Sequence, residues 1–249
     1  GTLLCLEFNH KNMKALVLDK YMQLNYREFE RPEIEPDEVL IRVKACGICG
    51  SDVHGMDGST GRRQIPLIMG HEASGVIAEI GSNVTGWQIG DRVTFDSTIY
   101  PLDDWFTRKG RYNLSDNRKV LGVSPNDYKK HGAFAEFVSM PAHILYKLPD
   151  NVSFEQAAMV EPVAVAAHAV NVSKIQPGNS AVVIGAGMVG VFVVKMLQIA
   201  GANPIIAIDL DENKLELAKE FGATHTFKSS EEGVSDKILE LTKNRGADF

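Results

Sequence analysis

Ala181 to Ala202 reads AVVIGAGMVGVFVVKMLQIAGA, and this stretch decides how the C-terminal half folds. Its first residues form a short apolar run of strand type, Ser180 to Ile184. It then turns through Gly185-Ala186-Gly187-Met188-Val189-Gly190 and continues as an apolar helix, Met188 to Ala200. A G-x-G-x-x-G between a strand and a helix suits a dinucleotide pyrophosphate. The first glycine allows the tight turn, the second lets phosphate approach the backbone, and the third lets helix pack on sheet. Asp209 follows nineteen residues after Gly190, at the end of a second strand, Pro204 to Ile208, where a carboxylate grips ribose hydroxyls. That carboxylate would repel a 2′-phosphate, and no arginine follows it in LDENKLE, so NAD is expected rather than NADP. Helices are expected at Glu212 to Phe221 and Val234 to Asn244, giving a parallel, doubly wound sheet. A membrane helix over Ala181 to Ala202 is the bland alternative, and Lys195 and the strand-turn-helix context argue against it.

Upstream, the texture is different. Lys14 to Leu18, Glu38 to Ala45, Ser74 to Ile80, the run after Gly90-Asp91, Gly132 to Met140 and His143 to Lys147 read as short strands with close turn signals. They predict a β-barrel-like first domain. Ser153 to Gln156 offers a capping box for a short helix, Pro162 opens an alanine-rich one, and the domain boundary falls near there. The expected division is an extension over 1–12, a first domain over 13–160 and a nucleotide-binding domain over 161–249.

The first domain carries the other chemical signal. Cys46 to His54, CGICGSDVH, crowds two thiols, a hydroxyl at Ser51, a carboxylate at Asp52 and an imidazole at His54 into nine positions. His71-Glu72 and Glu161, in the apolar run AAMVEPVAVAAHAV, are placed to close the same site. One cysteine, one histidine and one carboxylate make a catalytic zinc set with a fourth position open. Cys46 reads as a packed thiol despite the C-x-x-C spacing, and Asp52 as a helix cap or an anchor behind the ligands. His131 and His168 read as structural, and His10, His143 and His225 as surface or packing residues. Glu161 beside Met159, Val160 and Val163 is costly to bury without a partner.

Composition limits the partners. The chain has 249 residues, 44% of them hydrophobic and 23% charged, with a net charge of −6. There is no basic stripe for nucleic acid or an anionic membrane surface. Small molecules and copies of itself are the expected partners. Cys5, Cys46 and Cys49 are too few for a disulfide framework, and GTLLCLEFNHKN lacks the pattern of a signal peptide, which together predict a reducing, cytoplasmic setting.

The order CGICGSDVH, GHEASGVIAEIG, GDRV, GAFAEFV, a glutamate-proline helix start, and GAGMVG with Asp209 resembles the zinc-containing medium-chain dehydrogenases, closest to their polyol branch. The resemblance covers Met13 to Phe249. It implies a GroES-like β-barrel catalytic domain followed by a Rossmann domain, one catalytic zinc, NAD, a polyol or polyol-phosphate substrate and a homo-oligomer. It makes Cys49 the thiolate ligand, His71 the imidazole ligand, Glu72 a ligand or the residue just behind it, and Glu161 the carboxylate typical of the polyol branch. Ser51 and His54 match a proton relay, with contact to the cofactor ribose as the alternative for His54. Thr60, Arg62 and Arg63 are guesses at contacts near the substrate.

Two departures qualify the match. Pro101, Asp104, Thr107 and Ser115 stand where many relatives carry four structural-zinc cysteines, so no structural zinc and a poorly ordered lobe are expected. The chain also stops at Ala247-Asp248-Phe249, where the next Rossmann strand should begin, leaving only the first half of that domain and an exposed sheet edge. A truncated, non-catalytic scaffold acting by binding or self-association is therefore the competing hypothesis.

Overall fold

The computed structural model describes residues 11–126 and 129–249, so the extension expected over 1–12 lies almost wholly outside the described residues. The chain divides into two compact units, Gly1–Glu161 and Pro162–Phe249.

In the first unit, β1 (Asn12–Lys20) pairs antiparallel with β2 (Gln23–Glu30) and with β4 (Leu67–Ile68). A five-stranded sheet has β3 (Glu38–Gly47), β5 (Glu72–Ile80), β6 (Arg92–Phe95), β9 (Phe137–Pro141) and β10 (Leu145–Lys147) in the order β10-β6-β5-β3-β9. A two-stranded ribbon joins β7 (Thr98–Ile99) to β8 (Lys119–Val120). Val39, Ile41, Ile77, Val93, Val138 and Met140 point inward from the larger sheet and form the core that carries the site. The helix α1 (Gly50–Gly55) follows β3, and α2 (Phe154–Ala158) closes the unit. The capping box of α2 is made as its sequence predicts, by Ser153 and Gln156.

The second unit begins within the first turn of α3 (Val160–Ser173). Its sheet is parallel, in the order β11-β12-β13, from β11 (Ala181–Ile184), β12 (Ile205–Asp209) and β13 (His225–Lys228). Between them lie α4 (Met188–Ile199) and α5 (Glu212–Phe221), and α6 (Val234–Leu241) follows. Val191, Val194 and Leu197 face one side of α4 and pack with Ala181, Val183, Ile205 and Ala207 of the sheet. No helix among the described residues is long and apolar enough to cross a membrane.

Several local expectations need correction. Gly132 to Glu136 is not strand: it wraps the Met69-Gly70 turn, with the amides of Gly132, Phe134 and Ala133 bonded to the carbonyls of Ile68, Met69 and Gly70. A side chain at Gly132 would lie 2.4 Å from two of those carbonyl oxygens, so glycine is required for this approach. His143 belongs to a 3₁₀ turn, and β2 and β13 form strands that hydrophobic alternation did not announce. The lobe without cysteines is folded. Asp104 caps a 3₁₀ turn at Thr107, Tyr100 stacks on Tyr112 with ring centroids 4.5 Å apart, and Ser115 is fully buried. The free edge of β11 is met by Asp248-Phe249, which bond to Ser180 and Val182.

Candidate metal and nucleotide sites

The register of two strands builds the metal-type site. Gly47 at the end of β3 lies opposite Glu72 at the start of β5, so the loop after β3 and the residues entering β5 meet at one end of the sheet. Beside Glu72, Thr94 bonds the Ala73 carbonyl at 2.9 Å and Ser74 bonds the Phe154 carbonyl at 2.6 Å, which fixes this end of β5. Cys49 is the residue just before α1, and its amide donates to Oδ2 of Asp52 at 3.1 Å. A ligand atom from each of Cys49, His71 and Glu72 lies within 4.8 Å of the others.

The electrostatics of this cluster fit a cation. Oε2 of Glu72, Nδ1 of His71 and Oδ1 of Asp52 are buried with no hydrogen-bond partner, a costly state unless a positive charge stands nearby. Burial pushes the Cys49 thiol and the Glu72 carboxyl above their ordinary pKa values. Burial opposes charge on His71, but the Asp52 carboxylate, with Glu161 and Glu72, outweighs it and raises the imidazole pKa. Nδ1 of His71 is 3.6 Å from Oδ1 of Asp52, an electrostatic contact longer than a hydrogen bond, which leaves Nε2 for a ligand. Mixed sulfur, nitrogen and oxygen donors suit zinc.

The remaining expected residues are placed as follows. Glu161 stands outside the three-residue group; its Oε1 accepts from Ser97 Oγ at 3.4 Å, and burial raises its pKa. Ser51 and His54 are exposed on α1. Cys46 is a packed thiol with its pKa pushed up to about 12 by burial. His131 is structural: Nδ1 accepts the Ile68 amide at 3.2 Å, and burial pushes its pKa down to about 4. Thr60 and Arg62 are exposed, but Arg63 is 2% exposed and packed beneath α1. It is not a substrate contact. Nothing in the sequence sets Arg63 apart from Arg62, and only the facing Gly55 hints at the cavity that accepts the second arginine.

In the second unit the glycine-rich turn runs from β11 into α4. Gly185 has φ +94°, and a methyl on Gly190 would meet the Gly185 carbonyl oxygen at 1.9 Å, while Gly187 has open space where a side chain would be. Met188 and Val189 start α4 directly after this turn. Asp209 ends β12, and its Oδ2 accepts the Ala186 amide at 2.7 Å, which ties the carboxylate to the turn. The Asp211 amide and the Ala186 amide hold the Asp209 pKa below the usual carboxylate range.

An antiparallel unit bearing a cysteine, histidine and glutamate cluster, followed by a parallel strand-helix unit with a nucleotide turn, defines the two-domain medium-chain dehydrogenases. The comparisons agree: the alcohol dehydrogenase GroES-like domain matches residues 35–150, and the zinc-binding dehydrogenase family matches residues 188–249. The chain belongs to the zinc-dependent medium-chain alcohol and polyol dehydrogenase family. It is 37% identical to sorbitol dehydrogenase of Bacillus subtilis over 96% of this chain and 67% of that one. Galactitol-1-phosphate dehydrogenase of Escherichia coli superposes with a TM-score of 0.85 at 31% identity, covering 94% of this chain and 66% of that one. A short chain alcohol dehydrogenase of Escherichia coli CFT073, solved with NADH, superposes with a TM-score of 0.84 at 31% identity, covering 92% and 66%. The chain spans about two thirds of the length of the curated relatives it matches.

Proposed function

We propose that the protein is a zinc-dependent oxidoreductase that transfers a hydride from a secondary alcohol of a polyol or polyol phosphate to NAD. The buried, unpartnered carboxylate oxygen of Glu72 beside Cys49 and His71 carries this reading. Cys49, His71 and Glu72 hold the metal, with Glu161 as a further carboxylate acting on His71. Zinc bound there would supply a Lewis acid that lowers the pKa of a hydroxyl brought to it.

The chain's own groups handle the proton and the cofactor. Ser51 lies against the Cys49 thiol and is three residues from His54 on α1, so the two share a face and lead a proton outward to solvent. Gly185, Gly187 and Gly190 with the N-terminus of α4 receive the pyrophosphate, and Asp209 takes the ribose hydroxyls and selects NAD over NADP. One catalytic zinc without a structural one is the reading that the missing thiolates at Pro101, Asp104, Thr107 and Ser115 favour. The full protein works as a homo-oligomer on small-molecule substrates. The activities in the names of its relatives favour the enzyme over a non-catalytic scaffold.

The test is NADH formation by the purified protein with a panel of polyols and polyol phosphates, with and without a zinc chelator, alongside zinc analysis. The expected result is chelator-sensitive activity with one zinc per chain, falling to none in Cys49→Ser. Activity that survives complete zinc removal would refute the reading.

A further inference from the structure

Arg63 is the feature that the proposed chemistry leaves unexplained. Its side chain is 2% exposed, an unusual burial for a guanidinium, and Nε has no hydrogen-bond partner. Nη2 donates to the Ser51 carbonyl at 3.1 Å and stands 3.6 Å from Oδ1 of Asp52. That same oxygen lies 3.6 Å from Nδ1 of His71, while the other oxygen of Asp52 accepts the Cys49 amide. Asp52 thus touches the backbone of one metal-type ligand and the ring of another, and Arg63 faces it from behind. Space for the guanidinium exists because residue 55 is glycine: a Cβ there would sit 2.9 Å from Nε and 3.0 Å from Cγ. Tyr21 Oη donates to the Arg63 carbonyl at 3.1 Å and holds the loop in place.

We propose that Arg63 is the positioning residue of the metal site, neutralising buried Asp52 and clamping the first turn of α1 so that Cys49 and His71 are presented together. This rests on the zinc reading of Cys49, His71 and Glu72. The reason is charge balance. Zinc bound there would offset one thiolate and one carboxylate, which leaves Arg63 as the permanent cation facing the buried Asp52 carboxylate among the described residues. Without that cation, the Asp52 carboxylate turns toward solvent, and the Cys49 amide and the His71 ring lose the group that faces them. Arginine is needed because one planar fork reaches a carbonyl and a carboxylate at once.

The test uses the purified protein and the variants Arg63→Met, Arg63→Lys and Gly55→Ala. Zinc affinity is measured by competition with a chromophoric chelator, and geometry by the visible spectrum of the cobalt-substituted protein. Arg63→Met is expected to weaken zinc binding about 10- to 100-fold and to shift the cobalt bands. Arg63→Lys restores charge but not the fork, and should recover to within about tenfold of the wild type. Gly55→Ala keeps the arginine but displaces it, so it should move both readouts in the same direction as Arg63→Met. If Arg63→Met fails to fold, Gly55→Ala decides the matter. Zinc affinity within about twofold of the wild type and an unchanged cobalt spectrum in the folded variants would overturn the proposal. A wild-type protein that binds no zinc and shows no cobalt-thiolate band would instead refute the site reading on which it rests.

Discussion

Gly47 and Glu72 face each other across β3 and β5, and a methyl group on Gly47 would lie 2.3 Å from Oε2 of Glu72. The glycine is therefore the hole into which the Glu72 carboxylate folds. The conflict is with the far end of a side chain, so relief comes by moving the carboxylate rather than the backbone. Gly47→Ala should weaken zinc binding by about tenfold, the scale seen when a ligand is misplaced. It should cost only about 1 kcal/mol in stability. Zinc competition and thermal melting of the same sample separate the two effects. A variant that melts early but keeps its zinc affinity would contradict the account.

Gly187 and Gly190 of the glycine-rich turn should fail in different ways. Gly187 has φ −69° and open space where a methyl group would lie, so Gly187→Ala should fold normally yet block the approach of pyrophosphate. Gly190 sits on the Gly185 carbonyl, and Gly190→Ala should cost about 1–3 kcal/mol through overpacking. Calorimetry of NAD binding, read against melting temperature, distinguishes them.

Asp209 is tied to the glycine-rich turn through the Ala186 amide, and it is proposed to select the cofactor. Asp209→Asn keeps an acceptor for that amide and removes the charge. The ratio of NADP to NAD affinity should rise about tenfold, equivalent to about 1.4 kcal/mol. An unchanged ratio would mean that another group reads the ribose.

Asp19 gives a pH signature remote from the site. Hydrogen bonds from Arg27, at distances down to 2.7 Å, and from Asn25 lower its pKa from 3.8 to about 2. A depressed carboxylate pKa stabilises the fold above the unfolded value, and that contribution is lost as pH falls through the folded one. Resistance to urea should fall between about pH 4 and pH 2 in the wild type, and Asp19→Asn should flatten this part of the profile. Equal slopes in the two proteins would remove Asp19 from the explanation.

Much of the candidate site is legible along the chain because its signals are local. The glycine turn and Asp209 belong to one strand-helix-strand unit, and the capping box of α2 lies within four residues. Strand β2 escapes because QLNYREFE is half exposed and draws its hydrogen bonds from β1, so its hydrophobic alternation is weak. The wrap of residues 132–136 around Met69-Gly70 escapes for a related reason. Its residues look strand-like, but the amides of Ala133 and Phe134 go to the Met69-Gly70 turn, and Ala135 and Glu136 reach β1 through an isolated bridge to Ala15 and a bond to the Lys14 carbonyl.

The sequence by itself determined the order of the two units, the donor types at Cys49, His71 and Glu72, and the nucleotide turn with its carboxylate. Those depend on residue identity and short-range spacing. Only the tertiary structure decided that Gly47 makes room for Glu72, that Glu161 accepts a hydrogen bond from Ser97, and that Arg63 lies buried behind Asp52. Those depend on strand register and on which charges share a desolvated space, and neither is set by neighbours in the chain.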